Sequence, residues 1–247
     1  MKGVVIKSTG SWLTVKTDEN VVYNCRIKGK FRIQGIKSTN PIAVGDFVIF
    51  DLEEDDYGTI HTVEDRKNYI IRKSTKLSKQ THIIAANMDQ AAIIVSVANP
   101  RTPLGFIDRF LATAEAYRIP SIVIFNKVDL CDDALAEELD YLKAVYESLG
   151  YQCLFTSSIN NAGIEESKGL FKDKVTLISG QSGVGKSTLI NAIEPSLKLK
   201  TSEVSESNEK GKHTTTFAEM FEFSFGGNVI DTPGIRSFGV VDFDKHE

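Results

Sequence analysis

Long apolar runs, paired cysteines and a strong net charge are all missing from this sequence of 247 residues. The longest apolar run covers residues 91–95, far short of the roughly 20 residues that a membrane-spanning helix needs. The start of the sequence shows no secretory signal, so we expect a cytoplasmic protein without a membrane partner. The three cysteines, Cys25, Cys131 and Cys153, form no CxxC pair, which favours a reducing compartment over a disulfide scaffold.

Charge is small overall but unevenly distributed along the chain. The formal net charge is −4, with an excess of basic residues before residue 82 and an excess of acidic residues after it. No acid lies between Glu19 and Asp46, an interval with five basic residues, and a second basic stretch runs from Arg66 to Lys79. Such stretches can attract a polyanion. A solvated strand face and a basic linker are the alternative interpretation.

The first 75 residues show the pattern of a small all-β domain. Short segments rich in β-branched and aromatic residues are separated by turn-forming residues. The predicted strands cover residues 3–7, 12–17, 21–27, 46–51 and 58–63. Five such strands favour an oligonucleotide-binding (OB-fold) barrel over residues 1–75, although another small barrel fits the pattern as well.

From residue 83 onward, apolar strands alternate with amphipathic helices. This alternation predicts an α/β domain, assigned to residues 76–247, with a doubly wound and mostly parallel sheet. Ligands of such sheets bind beyond the carboxyl ends of the strands. The predicted strands are 90–97, 121–125, 152–155, 175–179, 217–223 and 228–230, and the predicted helices are 106–117, 132–149, 164–171 and 186–193.

A glycine-rich segment at residues 180–187 fits the GxxxxGK[ST] pattern of phosphate-binding loops. Its glycines let main-chain N–H groups face phosphate oxygens, and the helix that follows adds the positive end of its dipole. Lys186 is expected to act in catalysis on the β- and γ-phosphates, and Ser187 to ligate Mg²⁺. A glycine-rich turn without a ligand is the alternative. The predicted nucleotide contacts are Gly180, Gln181, Ser182, Gly183, Val184, Gly185, Lys186, Ser187 and Thr188.

An NKxD pattern, Asn126, Lys127, Val128 and Asp129, directly follows the predicted strand at 121–125. The Asp129 carboxylate can accept hydrogen bonds from N1–H and the exocyclic amino group of guanine, whereas adenine presents an acceptor at N1. We expect Asn126 to contact the base and to link loops, and the stem of Lys127 to lie over the base plane. A plain turn is the alternative interpretation.

Three hydroxyl residues, Thr156, Ser157 and Ser158, follow the next predicted strand. We expect their backbone N–H groups to face guanine O6 because the carboxyl ends of parallel strands share one edge of the sheet. This signal is weak without the other motifs.

A DxxG pattern begins at Asp231 after a short apolar strand. Its carboxylate is expected to hold the Mg²⁺ shell, and the N–H of Gly234 to contact the γ-phosphate. The same pattern at residues 55–58 is interpreted as a hairpin turn. Thr215, within a run of threonines, is expected to bind Mg²⁺ and to take part in catalysis once a triphosphate is bound. Threonines at the start of a strand are the alternative.

The order of these motifs points to a particular family. GTPases usually run from the phosphate loop through the switch threonine and DxxG to NKxD, whereas here NKxD comes first, as in a circular permutation. Together with the barrel, four segments make the chain resemble the ribosome small subunit-dependent GTPase A family over essentially its whole length. They are Ile84–Gln90, Gly180–Thr188, Gly211–Thr216 and Asp231–Ser237.

This resemblance implies a circularly permuted P-loop GTPase domain that follows an OB-fold barrel. It also implies an enzyme that hydrolyses GTP to GDP and phosphate slowly alone and faster on the small (30S) ribosomal subunit. Such an enzyme assists late maturation of the subunit and leaves after hydrolysis. GTP or GDP, Mg²⁺ and ribosomal RNA are the implied ligands, and a monomer is expected. The family carries a zinc module, but the cysteines and histidines of this chain show no ligand spacing, so no zinc is expected here.

The group that activates the attacking water is not evident from the motifs. Ile235 occupies the position after DxxG where many GTPases carry a water-orienting glutamine, so slow turnover is expected. His213 is the candidate within the chain, an exposed loop histidine being the alternative. Two other functions compete with a ribosomal GTPase. One is an ATP-dependent kinase or ATPase, which Asp129 opposes, and the other is a nucleotide-gated RNA-binding module with negligible catalysis.

Overall fold

The computed structural model describes residues 1–9, 12–27, 41–53, 57–73, 81–201 and 218–231. In these ranges the strands are β1 (Lys2–Ser8), β2 (Leu13–Thr17), β3 (Val22–Ile27), β4 (Phe47–Leu52), β5 (Gly58–Val63), β6 (Tyr69–Lys73), β7 (Thr81–Ala86), β8 (Gln90–Val95), β9 (Ser121–Asn126), β10 (Gln152–Thr156), β11 (Val175–Ser179), β12 (Glu219–Glu222) and β13 (Asn228–Asp231). The helices are α1 (Leu104–Ala116), α2 (Asp133–Ser148), α3 (Ile164–Phe171) and α4 (Lys186–Ile193). None of these helices has the length and apolar character needed to cross a membrane.

The first five strands close into a barrel in the order β1-β2-β3-β5-β4, with β4 returning to pair with β1. All neighbours are antiparallel except β3 and β5. Alternate residues point inward because successive side chains of a strand face opposite sides. The prediction of a small five-stranded barrel of the OB type is confirmed. Its core consists of Val5, Leu13, Val15, Cys25, Ile42, Val48, Phe50 and Ile60.

The second part of the chain builds a sheet in the order β10-β9-β8-β11-β13-β12. The first five strands are parallel, and β12 runs antiparallel to β13. Every residue of β8 is buried, and its alternate side chains enter two separate cores. Ile93 packs in the core that includes residues of α1 and α2, whereas Ile94 packs in the core that includes residues of α3 and α4. The predicted doubly wound sheet is therefore confirmed.

α4 ends at Ile193 and is followed by Glu194 and Pro195. Pro195 stops the helix because it has no backbone N–H to donate. The carboxylate of Glu194 accepts hydrogen bonds from the hydroxyls of Ser196 and Ser224, and from the Ser224 N–H at 2.8 Å. These bonds lower the pKa of Glu194 to about 2. The helix that begins at the phosphate loop is thereby tied to the connection between β12 and β13.

One structural element was not predicted from the sequence. β6 and β7 form an antiparallel hairpin, and this hairpin spans the predicted domain boundary between residues 75 and 76. It lies against the barrel, where the Ala86 N–H donates to the carbonyl oxygen of Val44 at 2.9 Å. The division into 1–75 and 76–247 stays a prediction.

A largely buried polar network joins the barrel to the residues that flank this hairpin. Arg66 donates from Nε and from one terminal nitrogen to the Asp46 carboxylate, both at 2.6 Å. Asn87 donates to the Gly45 carbonyl oxygen and accepts from the Lys67 N–H, both at 2.9 Å. A second junction pairs β1 with β12, so the barrel and the nucleotide sheet form one sheet of eleven strands.

Candidate nucleotide site

Four described loops, those that follow β8, β9, β10 and β11, lie at one edge of the nucleotide sheet. β8, β9, β10, β11 and β13 are parallel, so the segments that follow them all leave from their carboxyl ends. In the six-stranded nucleotide sheet β8 and β11 are the two central strands, and β11 lies between β8 and β13. The phosphate-loop pattern therefore starts at the middle of the edge, where such sheets bind their ligands.

At two positions of the phosphate-loop segment, the backbone conformation and the neighbouring atoms allow only glycine. Gly180 has φ 147°, and a Cβ there would lie 2.3 Å from the Ile94 carbonyl oxygen. Gly185 has φ 93°, and a Cβ there would lie 2.6 Å from the amide nitrogen of Asn126. α4 begins at the next residue, which directs the free N–H groups of its first turn toward this edge. The segment thus forms a tight cradle between a strand and a helix.

The side chain of Lys186 folds back into this cradle. Its ammonium group donates to the carbonyl oxygens of Gly180 and Gln181, both at 2.8 Å. Burial lowers the pKa of Lys186 to about 8, while the nearby charge of Asp231 acts to raise it. Ser187 is half-buried in the first turn of α4, and Ser182 and Thr188 are exposed. A cation is therefore held inside the loop at neutral pH.

Asn126 connects three of the four loops. It is buried at the end of β9, and its amide nitrogen donates to the Val184 carbonyl oxygen at 2.9 Å. Its amide oxygen accepts from the hydroxyl of Thr156 at 3.0 Å. The linking role expected for Asn126 is present in this arrangement, and its contact with a base stays a prediction.

Lys127 lies between the phosphate loop and the segment after β8. Its backbone is left-handed, with φ 66°, and its ammonium group donates to the Asn99 carbonyl oxygen at 2.6 Å. The side-chain Cε lies 3.6 Å from the position that a Cβ on Gly185 would occupy. Burial lowers the pKa of Lys127, against the opposing charge of Asp129. The stem of this lysine thus forms one wall beside the phosphate loop.

Asp129 and the Thr156–Ser158 segment come together on the other side. The Ser157 hydroxyl donates to one carboxylate oxygen of Asp129, which orients that side chain. The Ser157 N–H donates to the Ala162 carbonyl oxygen at 3.0 Å, so this N–H is already engaged. The Ser158 hydroxyl is buried without a hydrogen-bond partner among the residues that the structure describes. Ser158 is therefore the better candidate for a base contact within the predicted segment.

Asp231 lies on the phosphate side of the site. It is the last residue of β13, is buried, and faces Ile178 of β11 in the parallel register. Its charge acts to raise the pKa of Lys186, so the two groups interact electrostatically.

The predicted residues His213, Thr215 and Gly234 lie outside the described residues. Within the described ranges, no group of three or more histidine, cysteine, aspartate or glutamate side chains could hold a metal ion.

Two contacts of the site were not predicted from the sequence. The Asn99 carbonyl oxygen that accepts from Lys127 is a main-chain atom, and a main-chain acceptor leaves no residue-type signal. The Ser157–Asp129 hydrogen bond joins residues 28 positions apart. The sequence indicates only that both residues follow neighbouring parallel strands. This places them near each other but does not specify which atoms form a hydrogen bond.

Two family models match almost the entire chain. The model described as RsgA N-terminal domain matches residues 2–60, and the model described as RsgA GTPase matches residues 63–241. Among curated relatives, the small ribosomal subunit biogenesis GTPase RsgA of Flavobacterium psychrophilum is 55% identical over 250 residues, covering 100% of this chain and 77% of the relative. The protein of the same name from Bacteroides fragilis is 53% identical over 247 residues, covering 100% of this chain and 80% of the relative.

Solved structures show the same architecture. The crystal structure of YjeQ from Thermotoga maritima superposes with a TM-score of 0.73 at 36% identity, covering 94% of this chain and 74% of that one. The crystal structure of YloQ, a circularly permuted GTPase, superposes with a TM-score of 0.68 at 30% identity, covering 98% of this chain and 74% of that one.

These comparisons decide between the competing functions at the level of the family. The predicted resemblance is confirmed in both the barrel and the nucleotide domain. The ATP-dependent kinase or ATPase is excluded because the family is one of GTPases, which bind guanine nucleotides. The chain belongs to the RsgA GTPase family and is a GTP-hydrolysing enzyme with a circularly permuted nucleotide domain joined to an OB-type barrel.

Proposed function

We propose that this GTPase binds the small ribosomal subunit, assists its late maturation and leaves it after GTP hydrolysis. The observation that carries the proposal is identity above 50% along the whole chain to relatives named as small ribosomal subunit biogenesis GTPases. The barrel is part of that identity and shares a sheet with the nucleotide domain. In this proposal, residues 1–75 contact ribosomal RNA and residues 76–247 form the GTPase domain. The enzyme acts as a monomer in the cytoplasm, where ribosomal subunits mature.

We propose that the loop after β9 and the loop after β10 recognise guanine. The Ser157 hydroxyl donates to one oxygen of the Asp129 carboxylate and orients this group, which accepts from N1–H and the exocyclic amino group of guanine. Adenine would place an acceptor against this carboxylate, which costs binding energy. The backbone N–H of Ser158 faces guanine O6. Asn126 keeps the base loops and the phosphate loop at a fixed separation through its two amide contacts.

The phosphate side of the site fits a nucleotide and a magnesium ion. Gly180 has no room for a Cβ, which is typical of glycine-rich loops whose main-chain N–H groups bind phosphate oxygens. Ser187 and the buried carboxylate of Asp231 supply the hydroxyl and acidic oxygen that Mg²⁺ takes from P-loop proteins. When bound, Mg²⁺ neutralises charge on the β- and γ-phosphates. Thr215 and Gly234 complete this side of the site by their sequence positions.

Catalysis in this proposal depends on a positioned charge, because a water-orienting glutamine is missing at Ile235. The Lys186 ammonium group, already inside the loop, moves from two carbonyl oxygens to the β- and γ-phosphates and stabilises the charge that develops there. His213 or a group on the ribosome orients the attacking water. This division of roles predicts slow turnover alone and faster turnover on the small subunit.

The proposal is tested by sedimentation with purified small subunits and by GTP turnover. We expect the protein to sediment with small subunits in the presence of a non-hydrolysable GTP analogue, less so with GDP, and to hydrolyse GTP faster when subunits are added. Purified large subunits should produce neither effect. Asp129→Asn is the matched variant, because loss of guanine nucleotide should remove the difference between the two nucleotides. Equal sedimentation with both nucleotides and unchanged turnover would overturn the proposal.

A further inference from the structure

A cluster of two aromatic rings and one arginine lies on the barrel, away from the nucleotide site. The guanidinium carbon of Arg26, on β3, lies 3.9 Å from the ring centroid of Trp12 and 5.3 Å from that of Tyr57. The two rings meet edge to face with centroids 6.2 Å apart. Trp12 directly precedes β2, and Tyr57 directly precedes β5. The cluster therefore brings together β3 and the ends of two loops.

The arginine of this cluster has a charge environment unlike that of its neighbours. Six basic side chains are described between residues 1 and 71, and five of them pair with a carboxylate. Those five are Lys2, Lys7, Lys16, Arg66 and Lys67. Within the described part of the chain, Arg26 pairs with no carboxylate, and its contacts are with the two rings. Its described contacts are thus with aromatic faces, an arrangement in which a guanidinium plane can also stack on a nucleobase.

The cluster also exposes aromatic surface. Trp12 keeps 36% of its surface exposed, and Arg26 is exposed beside it. Phe47 provides a comparison on the same barrel, since Lys2 lies 5.7 Å from its ring centroid. There, however, the Lys2 ammonium group is neutralised by Glu64 at 2.9 Å. Among the described residues, an exposed ring beside a guanidinium whose described partners are aromatic rings is consequently specific to the Trp12 cluster.

We propose that Trp12, Arg26 and Tyr57 form a binding site for an unpaired RNA nucleobase and the phosphate next to it. Bases stack on aromatic rings and on guanidinium planes, and an arginine can add a contact to the neighbouring phosphate. Strands 2 and 3 of an OB-fold, with the loops that precede strands 2 and 5, form the face on which such barrels bind oligonucleotides. This inference rests on the proposed function because that function supplies RNA as the partner.

The sequence provides a direct probe of this site. Trp12 is the one tryptophan among the 247 residues, so all tryptophan fluorescence comes from the cluster. A single-stranded 12-nucleotide oligouridylate is titrated into the wild-type protein, and heparin is used as a polyanion without bases. We expect the oligonucleotide to quench the fluorescence and heparin to leave it nearly unchanged. Equal quenching by both, or quenching by heparin alone, would show an anion site without base stacking and would overturn the proposal.

Variants separate stacking from general charge. Trp12→Ala and Arg26→Ala should each weaken binding of a dye-labelled oligouridylate by about 5- to 100-fold, and Trp12→Phe should retain most of the affinity. Phe47→Ala is the matched control, being an exposed aromatic on the same barrel, and should bind like the wild type. Thermal unfolding of each variant reports whether the barrel remains folded. Unchanged binding by folded Trp12→Ala would overturn the proposal, as would an equal loss in Phe47→Ala.

This test can fail independently of the proposed function. If the wild-type protein sediments with small subunits but no oligonucleotide quenches Trp12, the base site is wrong and the ribosomal function stands. If oligonucleotide quenching is lost in Arg26→Ala while the wild-type protein never sediments with small subunits, the base site is supported and the ribosomal function is wrong. Binding of polyglutamate with the same quenching as RNA would identify an acidic protein surface as the partner and overturn the proposal.

Discussion

The nucleotide domain and the barrel both hold positively charged groups, but they hold them in different ways. Lys186 lies inside a loop whose main chain accepts from its ammonium group, and burial lowers its pKa to about 8. Arg26 lies on the barrel surface against two aromatic rings, without a carboxylate partner in the described residues. The first cation is positioned by backbone geometry, and the second by side-chain contacts at the surface.

This difference indicates how each region tolerates change. A site made of main-chain geometry depends on residues that permit one backbone conformation, so a single methyl group can abolish it. A surface site made of stacking and charge loses affinity in smaller steps, and its charge contribution decreases with added salt. We therefore expect the largest effects of substitution in the loops of the nucleotide domain and graded effects on the barrel.

Among changes of backbone geometry, the largest effect on nucleotide binding is expected for Gly180→Ala. The substitution places a Cβ 2.3 Å from the Ile94 carbonyl oxygen at a φ of 147°, so the loop must open. We expect GDP affinity to fall by at least about 10- to 100-fold, as measured by titration calorimetry. Gly169→Ala is the matched control because a Cβ there meets no atom within 4 Å. Wild-type affinity in Gly180→Ala would show that the cradle does not hold the phosphates.

The next effect concerns the junction that joins the barrel to the rest of the chain. Arg66→Met leaves the Asp46 carboxylate buried without its cation, although the Ala43 N–H still donates to it at 2.9 Å. The free energy of unfolding in urea should decrease by about 3 to 5 kcal/mol. Lys2→Met removes a partly exposed pair and should cost less than about 1 kcal/mol. Equal costs for the two variants would contradict the buried character of the Arg66–Asp46 pair.

A smaller effect is expected from pH. The pKa of Lys186 is about 8 in the free protein, and a bound diphosphate raises it because negative charge favours the protonated form. GDP binding at pH 8 should therefore take up about half a proton, and affinity should decline as pH rises above the free pKa. Calorimetry in two buffers of different ionisation enthalpy measures the uptake. Oligonucleotide binding to the barrel should lack this dependence, because the Trp12 cluster contains no lysine.

The smallest effect is expected at the second junction, between β1 and β12. The Lys7–Glu219 ion pair spans this junction at 3.0 Å and is partly exposed. Lys7→Met should lower the free energy of unfolding by less than about 1 kcal/mol, and the loss should shrink in high salt. A loss of several kcal/mol would mean that this ion pair, rather than the Arg66–Asp46 network, keeps the two regions together.

The secondary structure was predicted more accurately in the nucleotide domain than beside the barrel. The predicted bounds of the strand at 175–179 and the helices at 164–171 and 186–193 match the structure, because apolar periodicity and a stop signal coincide there. The β6–β7 hairpin was missed because its connection, residues 74–80, contains none of the glycine, proline, asparagine or aspartate residues that mark turns. Its basic residues instead suggested a linker.

The candidate site could be predicted only as far as residue type specifies chemistry. The proximity of Asn126 and the phosphate loop follows from parallel strands, and the structure joins them through Val184. The contact of Lys127 with Asn99, by contrast, depends on where a main-chain oxygen lies in three dimensions. The Trp12 cluster was missed because its members are separated by long intervals in the sequence and lie on three different strands or loops.

The central claim is that the segments at 126–129 and 180–187 form one site for a guanine nucleotide. Binding of GDP and xanthosine diphosphate to Asp129→Asn tests it most directly, because xanthine replaces the amino group of guanine by a carbonyl that an asparagine amide can satisfy. We predict that the variant loses GDP affinity by about 100-fold or more and binds xanthosine diphosphate more tightly than GDP. Asp133→Asn, at an exposed position nearby, should bind as the wild type does. Unchanged preference for GDP in Asp129→Asn would contradict the account.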